Sequence, residues 1–147
     1  MRYRHTQFGW ITVGICGAIV LIFALCPTPA RAPREWVFSI PAMVLGILVL
    51  LFGTLTVEVD DERIRLWFGI GLVRKTIPLA DIASCRPVRN RWWWGWGIRA
   101  IPGGWLYNVS GLDAVELVLR NGRIFRIGTD EPQRLWEFIE ARRSRVI

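Results

Sequence analysis

Hydrophobic and polar positions follow two regimes along the chain. Residues 6–30 carry no charge for 25 consecutive positions, and residues 36–57 carry none for 22. Taken as helices rising about 1.5 Å per residue, both runs exceed the roughly 20 residues that cross a hydrocarbon layer about 30 Å thick. The first holds Phe8, Ile11, Val13, Ile15, Ile19, Val20, Leu21, Ile22, Phe23 and Leu25, and the second is unbroken from Ile47 to Phe52. A helix apolar on every side needs cover on every side, and only about 90 residues remain to supply it. The pattern therefore predicts a membrane α-helical hairpin over residues 1–57, with spans at about 8–26 and 37–57.

The joining segment, residues 27–35, has three prolines and is short enough to force antiparallel helices. Trp10 and Trp36 fall near the helix ends, where amphipathic rings favour a headgroup region. Gly14 and Ala18, like Ala42 and Gly46, have the spacing that lets helix backbones approach, although such residues are common in spanning helices generally. Six basic residues flank the hairpin on its outer sides (Arg2, Arg4, Arg63, Arg65, Arg74, Lys75), against Arg31 and Arg34 in the loop. That bias predicts a multi-pass protein of the cell (inner) membrane with both termini cytoplasmic. Ala30-Arg31-Ala32 imitates a signal-peptidase site, but the apolar run is longer than a signal core of about 7–15 residues and Pro33 follows the cut. Phe23-Ala24-Leu25-Cys26 loosely resembles a lipoprotein box, with Leu25 too large for its position.

From about residue 55 the period changes. Leu55, Val57 and Val59 alternate with Thr56, Glu58 and Asp60, and after an Asp60-Asp61 turn Ile64, Leu66 and Phe68 alternate with Arg63, Arg65 and Trp67. Further strands are expected at 72–77, at 84–89 (interrupted by Pro87), at 105–109, at 115–119 with Glu116 facing out, and at 124–127. Asn121-Gly122 joins the last two as a tight hairpin. Helical spacing then returns in Leu135, Phe138 and Ile139, with Asp130 and Gln133 placed for a capping box, Pro132 in the first turn and Arg142, Arg143 and Arg145 at the end. Six or seven strands and one amphipathic helix, about 131–143, thus fill residues 58–147.

Strands closed by one C-terminal helix resemble the pleckstrin-homology fold. Val73-Arg74-Lys75-Thr76-Ile77-Pro78-Leu79-Ala80-Asp81-Ile82 is similar to a stretch found in bacterial pleckstrin-homology-like domains attached to membrane hairpins, and Gly122-Arg123 with Ile127-Gly128-Thr129-Asp130 fits the same family. The resemblance spans about residues 55–145. It implies a β-rich barrel capped by a C-terminal helix and a membrane-attached setting; no lipid site is carried over residue by residue.

Charge and chemistry narrow the function. The chain has 52% hydrophobic residues and a net charge of +7, which excludes a disordered tail, and its 147 residues exclude a large catalytic barrel. Three cysteines without metal-like spacing and one histidine, His5, supply neither a disulfide scaffold nor a metal cluster. Glu58, Asp60, Asp61 and Glu62 cluster around a turn and read as solvated. Gly95-Trp96-Gly97 loosely matches a dinucleotide fingerprint, yet Pro102, Gly103 and Gly104 stand where its helix should begin. Asn108-Val109-Ser110 is a formal glycosylation sequon. The expectation is no enzyme, no cofactor and no metal.

The segment with most to say is Arg89-Asn90-Arg91-Trp92-Trp93-Trp94-Gly95-Trp96-Gly97-Ile98-Arg99. Four tryptophans in five positions cannot all point into one small core. Their apolar bodies and polar tips suit a bilayer boundary, and Arg89, Arg91 and Arg99 suit anionic headgroups at about 1 kcal/mol each. Two alternatives stay open: two or three rings pack against the domain with arginines stacked on them, or the loop meets a protein partner. The expected function is a membrane-anchored binding or scaffold module acting on membrane lipid or a membrane-protein partner. Competing readings are an accessory subunit of a transport or secretion complex, and a barrel stacking single-stranded nucleic acid on its aromatics. Fifteen basic against eleven acidic residues in the β part leave a surplus of only four, so no nucleic acid is expected.

Overall fold

The computed structural model describes residues 2–25 and 34–146, the side chains of 34–38 and 146 excepted. The proline-rich link, Cys26 and both processing-like motifs lie outside or run beyond the described residues.

The chain begins with a strand, β1 (Tyr3–Phe8), followed by the helices α1 (Trp10–Leu25) and α2 (Arg34–Phe52) and then by β2 (Thr54–Val59). β1 and β2 are antiparallel neighbours, paired from Tyr3 with Val59 to Phe8 with Thr54. The helical hairpin is therefore an insertion in the connection of a β-hairpin. β3 (Arg63–Phe68) and β4 (Arg74–Pro78) complete a four-stranded sheet in the order β1-β2-β3-β4.

The second sheet holds β5 (Ile82–Arg89), β6 (Gly97–Ile101), β7 (Gly104–Asn108), β8 (Asp113–Leu119) and β9 (Ile124–Gly128), in the order β5-β8-β9-β7-β6. Its β7–β9 pair is parallel and the rest antiparallel. Pro87, which cannot donate to a ladder, sits on the edge strand β5, where the loss is tolerated. Asn121 shapes the β8–β9 turn by accepting the Arg123 amide on Oδ1 at 3.0 Å. The core lies between the sheets: Leu55, Val57, Ile64, Leu66, Phe68, Val115, Leu117 and Ile127 face one another there. α3 (Pro132–Val146) closes it with Leu135 and Ile139, both fully buried. At the start of α3 the capping differs from expectation. Thr129 Oγ1 accepts the Glu131 amide, while Asp130 turns its carboxylate to His5 Nε2 at 2.6 Å.

The membrane hairpin read from the two uncharged runs is corrected. Among the described residues no helix is long and apolar enough to cross a membrane. Each run divides between helix and sheet. Thr6, Gln7 and Phe8 belong to β1, which leaves α1 only 16 residues, or about 24 Å. In the same way Thr54–Val57 of the second run belong to β2, and α2 begins on Arg34-Glu35 and carries Pro41 inside it. The transmembrane reading, the multi-pass inner-membrane placement and the corresponding fold class fall together. What stands instead, among the described residues, is two packed sheets, one purely antiparallel and one mixed, with three α-helices. The nine strands among the described residues also exceed the six or seven expected.

Candidate functional site

The tryptophan segment joins β5 to β6, the two opposite edge strands of the second sheet. Asn90 fixes its start, donating its amide to the Leu112 carbonyl at 2.6 Å. Trp92, Trp93 and Trp94 form a single 3₁₀ turn, which ends on Gly95 at φ +69°, a left-handed conformation that favours glycine. A 3₁₀ turn spaces successive side chains by about a third of a revolution, so three adjacent rings must point three ways.

The rings meet different fates accordingly. Trp92 and Trp93 are 70% and 59% exposed and touch edge to face at 5.9 Å. Arg91 covers one face of Trp93, its Cζ 5.2 Å from the ring centroid. Trp94 turns inward, half-buried, over the Arg126 guanidinium at 4.8 Å. Trp96 donates Nε1–H to the Gly111 carbonyl at 3.3 Å, and Arg99 donates Nε–H to the Trp96 carbonyl at 3.2 Å. Arg89 ends β5 opposite Asp113 and is exposed. The structure thus brings together Arg91 with Trp92 and Trp93, and Trp96 with Arg99; it leaves Arg89 apart.

Beneath Trp94 lies an ion triad around one buried carboxylate, which strand periodicity only half revealed. Arg86, Glu116 and Arg126 are register partners across β5, β8 and β9. Glu116 does face away from the core, as alternation implies, yet its side chain is only 2% exposed. Arg86 donates Nε–H and Nη2–H to Oε1 at 2.9 and 2.6 Å, and Arg126 donates Nε–H to Oε2 at 2.8 Å. Burial pushes the Glu116 carboxyl up; the hydrogen bonds and charges of the two arginines outweigh it and hold the group below its ordinary value. Arg126 also donates to Asn90 Oδ1 at 3.2 Å, which ties the triad to the start of the tryptophan turn. Trp92 and Trp93 therefore project from a locally braced support.

The turn shares its end of the molecule with the helical hairpin. A cleft of about 490 Å³ is lined by Thr12, Cys16, Leu48 and Phe52 from the helices, and by Trp96, Ile98 and Arg99 from the β6 region. α1 has no buried residue. Val13, Ile15, Leu21, Phe23, Met43 and Ile47 are all exposed, and so are Ile70 and Leu72 in the β3–β4 turn beside the hairpin root. Exposed apolar side chains gathered on one part of a fold mark an interaction surface.

Among the described residues there is no group of three or more side chains able to hold a metal ion. His5 contacts Asp130 and, at 3.8 Å, Glu131, joining β1 to the start of α3. Cys85 donates its thiol to Glu140 at 3.0 Å. No protein-family model matches the chain, and no curated protein matches it.

Proposed function

We propose that this protein is a non-catalytic binding module that associates with a lipid surface through the exposed hairpin and the projecting Trp92 and Trp93. The observation that carries the reading is the hairpin itself: two helices apolar on their outward sides, rooted in a sheet, with no residue of α1 buried. Burying apolar surface yields about 25 cal/mol per Å², so side chains of this number and size need a hydrophobic phase. Association is by insertion along the surface, with no described helix crossing it. Exposed tryptophans and flanking arginines suit the boundary between such a phase and water. The two sheets with α3 packed on them support the likeness of the β part to pleckstrin-homology-like domains. Stacking of nucleic-acid bases is the weaker reading, because Trp93 and Trp94 already face Arg91 and Arg126 of the chain itself.

The test is sedimentation of the full chain with phosphatidylcholine vesicles after detergent removal. The reading expects the chain to pellet with vesicles, and Leu21→Ser with Phe23→Ser to shift it toward the supernatant. A monodisperse full chain in detergent-free buffer that ignores vesicles overturns it. So does a stoichiometric protein subunit that stays bound through purification and covers the hairpin.

A further inference from the structure

The outer face of the first sheet carries a groove of about 380 Å³ between β3, β4 and the turn joining them. Its apolar floor includes Trp67, with Arg4 Cζ 5.6 Å from that ring. Arg65 and Arg74 line it and Thr76 adds a hydroxyl; Lys75 borders it but turns inward, its Nζ 5.2 Å from the Phe125 ring centroid. The one carboxylate in the lining, Glu58, is buried and paired with Arg2 at 3.4 Å. Arg65 reaches Asp60 at 3.3 Å but keeps 42% of its side chain exposed. Arg74 is anchored at the rim, its Nε–H donated to the Gly71 carbonyl.

Position makes this basic groove informative. The β3–β4 turn leans on the end of α2: Gly69 donates its amide to the Thr54 carbonyl at 2.9 Å, and a Cβ there would lie 2.0 Å from the Leu50 carbonyl oxygen. Ile70 and Leu72, on the same turn, are 57% and 73% exposed. Within one turn the surface passes from the apolar hairpin root, through two exposed aliphatic side chains, to clustered cations. That sequence matches a phospholipid, with acyl chains beside Ile70 and Leu72 and the phosphate beside Arg65 and Arg74.

Resting on the lipid-surface reading above, we propose that this groove binds the phosphate of an anionic lipid headgroup and gives the module a preference for negatively charged surfaces. The arginines act as charge-assisted donors to phosphate oxygens, and Trp67 supplies an apolar platform under the headgroup.

The test compares the full chain on phosphatidylcholine vesicles with and without phosphatidylglycerol, at low salt. The double variant Arg65→Gln, Arg74→Gln is set against a charge-matched control, Arg120→Gln, Arg123→Gln, in the distant β8–β9 turn. With each cation near a charged surface worth about 1 kcal/mol, the groove variant should bind the anionic vesicles about thirtyfold more weakly and keep its neutral-vesicle binding. The control should keep most of the anionic preference. Equal losses in both variants, or none in the groove variant, overturn the groove. Competition by soluble glycerol phosphate that abolishes the preference also overturns it, since the site would then take a free phosphate. Loss of neutral binding in the wild-type chain, with the anionic preference intact and groove-dependent, leaves the groove standing and removes the hairpin reading instead.

Discussion

The backbone amide of Gly9 donates to the carbonyl of Gly53 at 2.7 Å, and that single bond closes the root of the helical hairpin. The two glycines sit just past the last β1–β2 register pair, Phe8 with Thr54, where the strands give way to α1 and α2. Only backbone fits there. A Cβ on Gly9 would stand 3.0 Å from the Gly53 oxygen, and one on Gly53 would stand 2.3 Å from the Val49 carbonyl oxygen.

Gly53→Ala should therefore destabilise the fold by about 1–3 kcal/mol, the usual cost of forcing atoms into a filled site. Gly14→Ala is the contrast, because a Cβ at that position meets nothing within 4 Å and alanine favours the helix by about 0.5–1 kcal/mol. Denaturant titration followed by tryptophan fluorescence separates the two. Equal stability of both variants would mean that the root is not held as described.

The tryptophans of the 3₁₀ turn should divide in the same kind of experiment. Trp94→Ala removes the ring over Arg126 and should lower stability by about 1–2 kcal/mol, in the range of a partly desolvated cation–π contact with its packing. Trp92→Ser and Trp93→Ser touch exposed rings and should stay within about 0.5 kcal/mol of wild type. Vesicle binding should reverse the order, with the exposed pair mattering more. A Trp94 variant as stable as wild type would contradict the inward stacking.

What could be read from the sequence, and what could not, follows from range. Local alternation located the strands around Leu55–Val59, Ile64–Phe68 and Val115–Leu119, and Asn121-Gly122 located its turn, because each depends on neighbours within a few residues. β1 was invisible for a physical reason. Tyr3, His5 and Gln7 do alternate with Arg4, Thr6 and Phe8, but three of those positions also open an uncharged run, which draws Phe8 into the expected span. Only pairing with β2, some fifty residues away, makes them a strand. The same blindness lengthened both helices into spans. At the candidate site, composition singled out the tryptophans yet could not distribute them, since Trp94 is claimed by Arg126, distant in sequence. The Arg65–Arg74 groove was equally hidden: those arginines were visible as flanking charge, while their convergence depends on β3–β4 register.

Cys85 should be a sluggish nucleophile. Burial first, then the hydrogen bond to Glu140 and its negative charge, push the thiol up to about 12. Thiolate is the reactive species, and at pH 8 its fraction at Cys85 is about a thousandfold below that of an ordinary cysteine with a pKa of 9.0. Alkylation by iodoacetamide should be clearly slower, by less than that factor because a more basic thiolate is the better nucleophile. Glu140→Gln removes the carboxylate's charge and should speed labelling, read at Cys85 by peptide mass spectrometry. Labelling in the folded chain as fast as in denaturant would refute the contact.

Acid sensitivity should trace in part to Glu116. Its folded carboxyl is held below the ordinary 4.5 because the arginines outweigh burial, so the folded state binds that proton less tightly than the unfolded chain does. The stabilisation it gives is complete above about pH 4.5 and is lost as pH falls through the lower, folded value. Asp60, where the Glu62 and Arg63 amides and nearby arginines overcome burial, and Glu140, bonded first by Arg143, move in the same direction. The wild-type chain should therefore lose stability on acidification from pH 7 through several carboxylates at once. Glu116→Gln should cost about 3 kcal/mol at pH 7, mostly through Arg126, which is left largely buried without its counter-charge; the exposed Arg86 arm adds little. The same variant should show a shallower decline below about pH 4.5, because one of the protonations driving the loss is gone. Urea titrations at a series of pH values measure both effects. An unchanged slope in the variant would show that Glu116 titrates alike in the folded and unfolded chain, and the triad would then contribute no pH dependence.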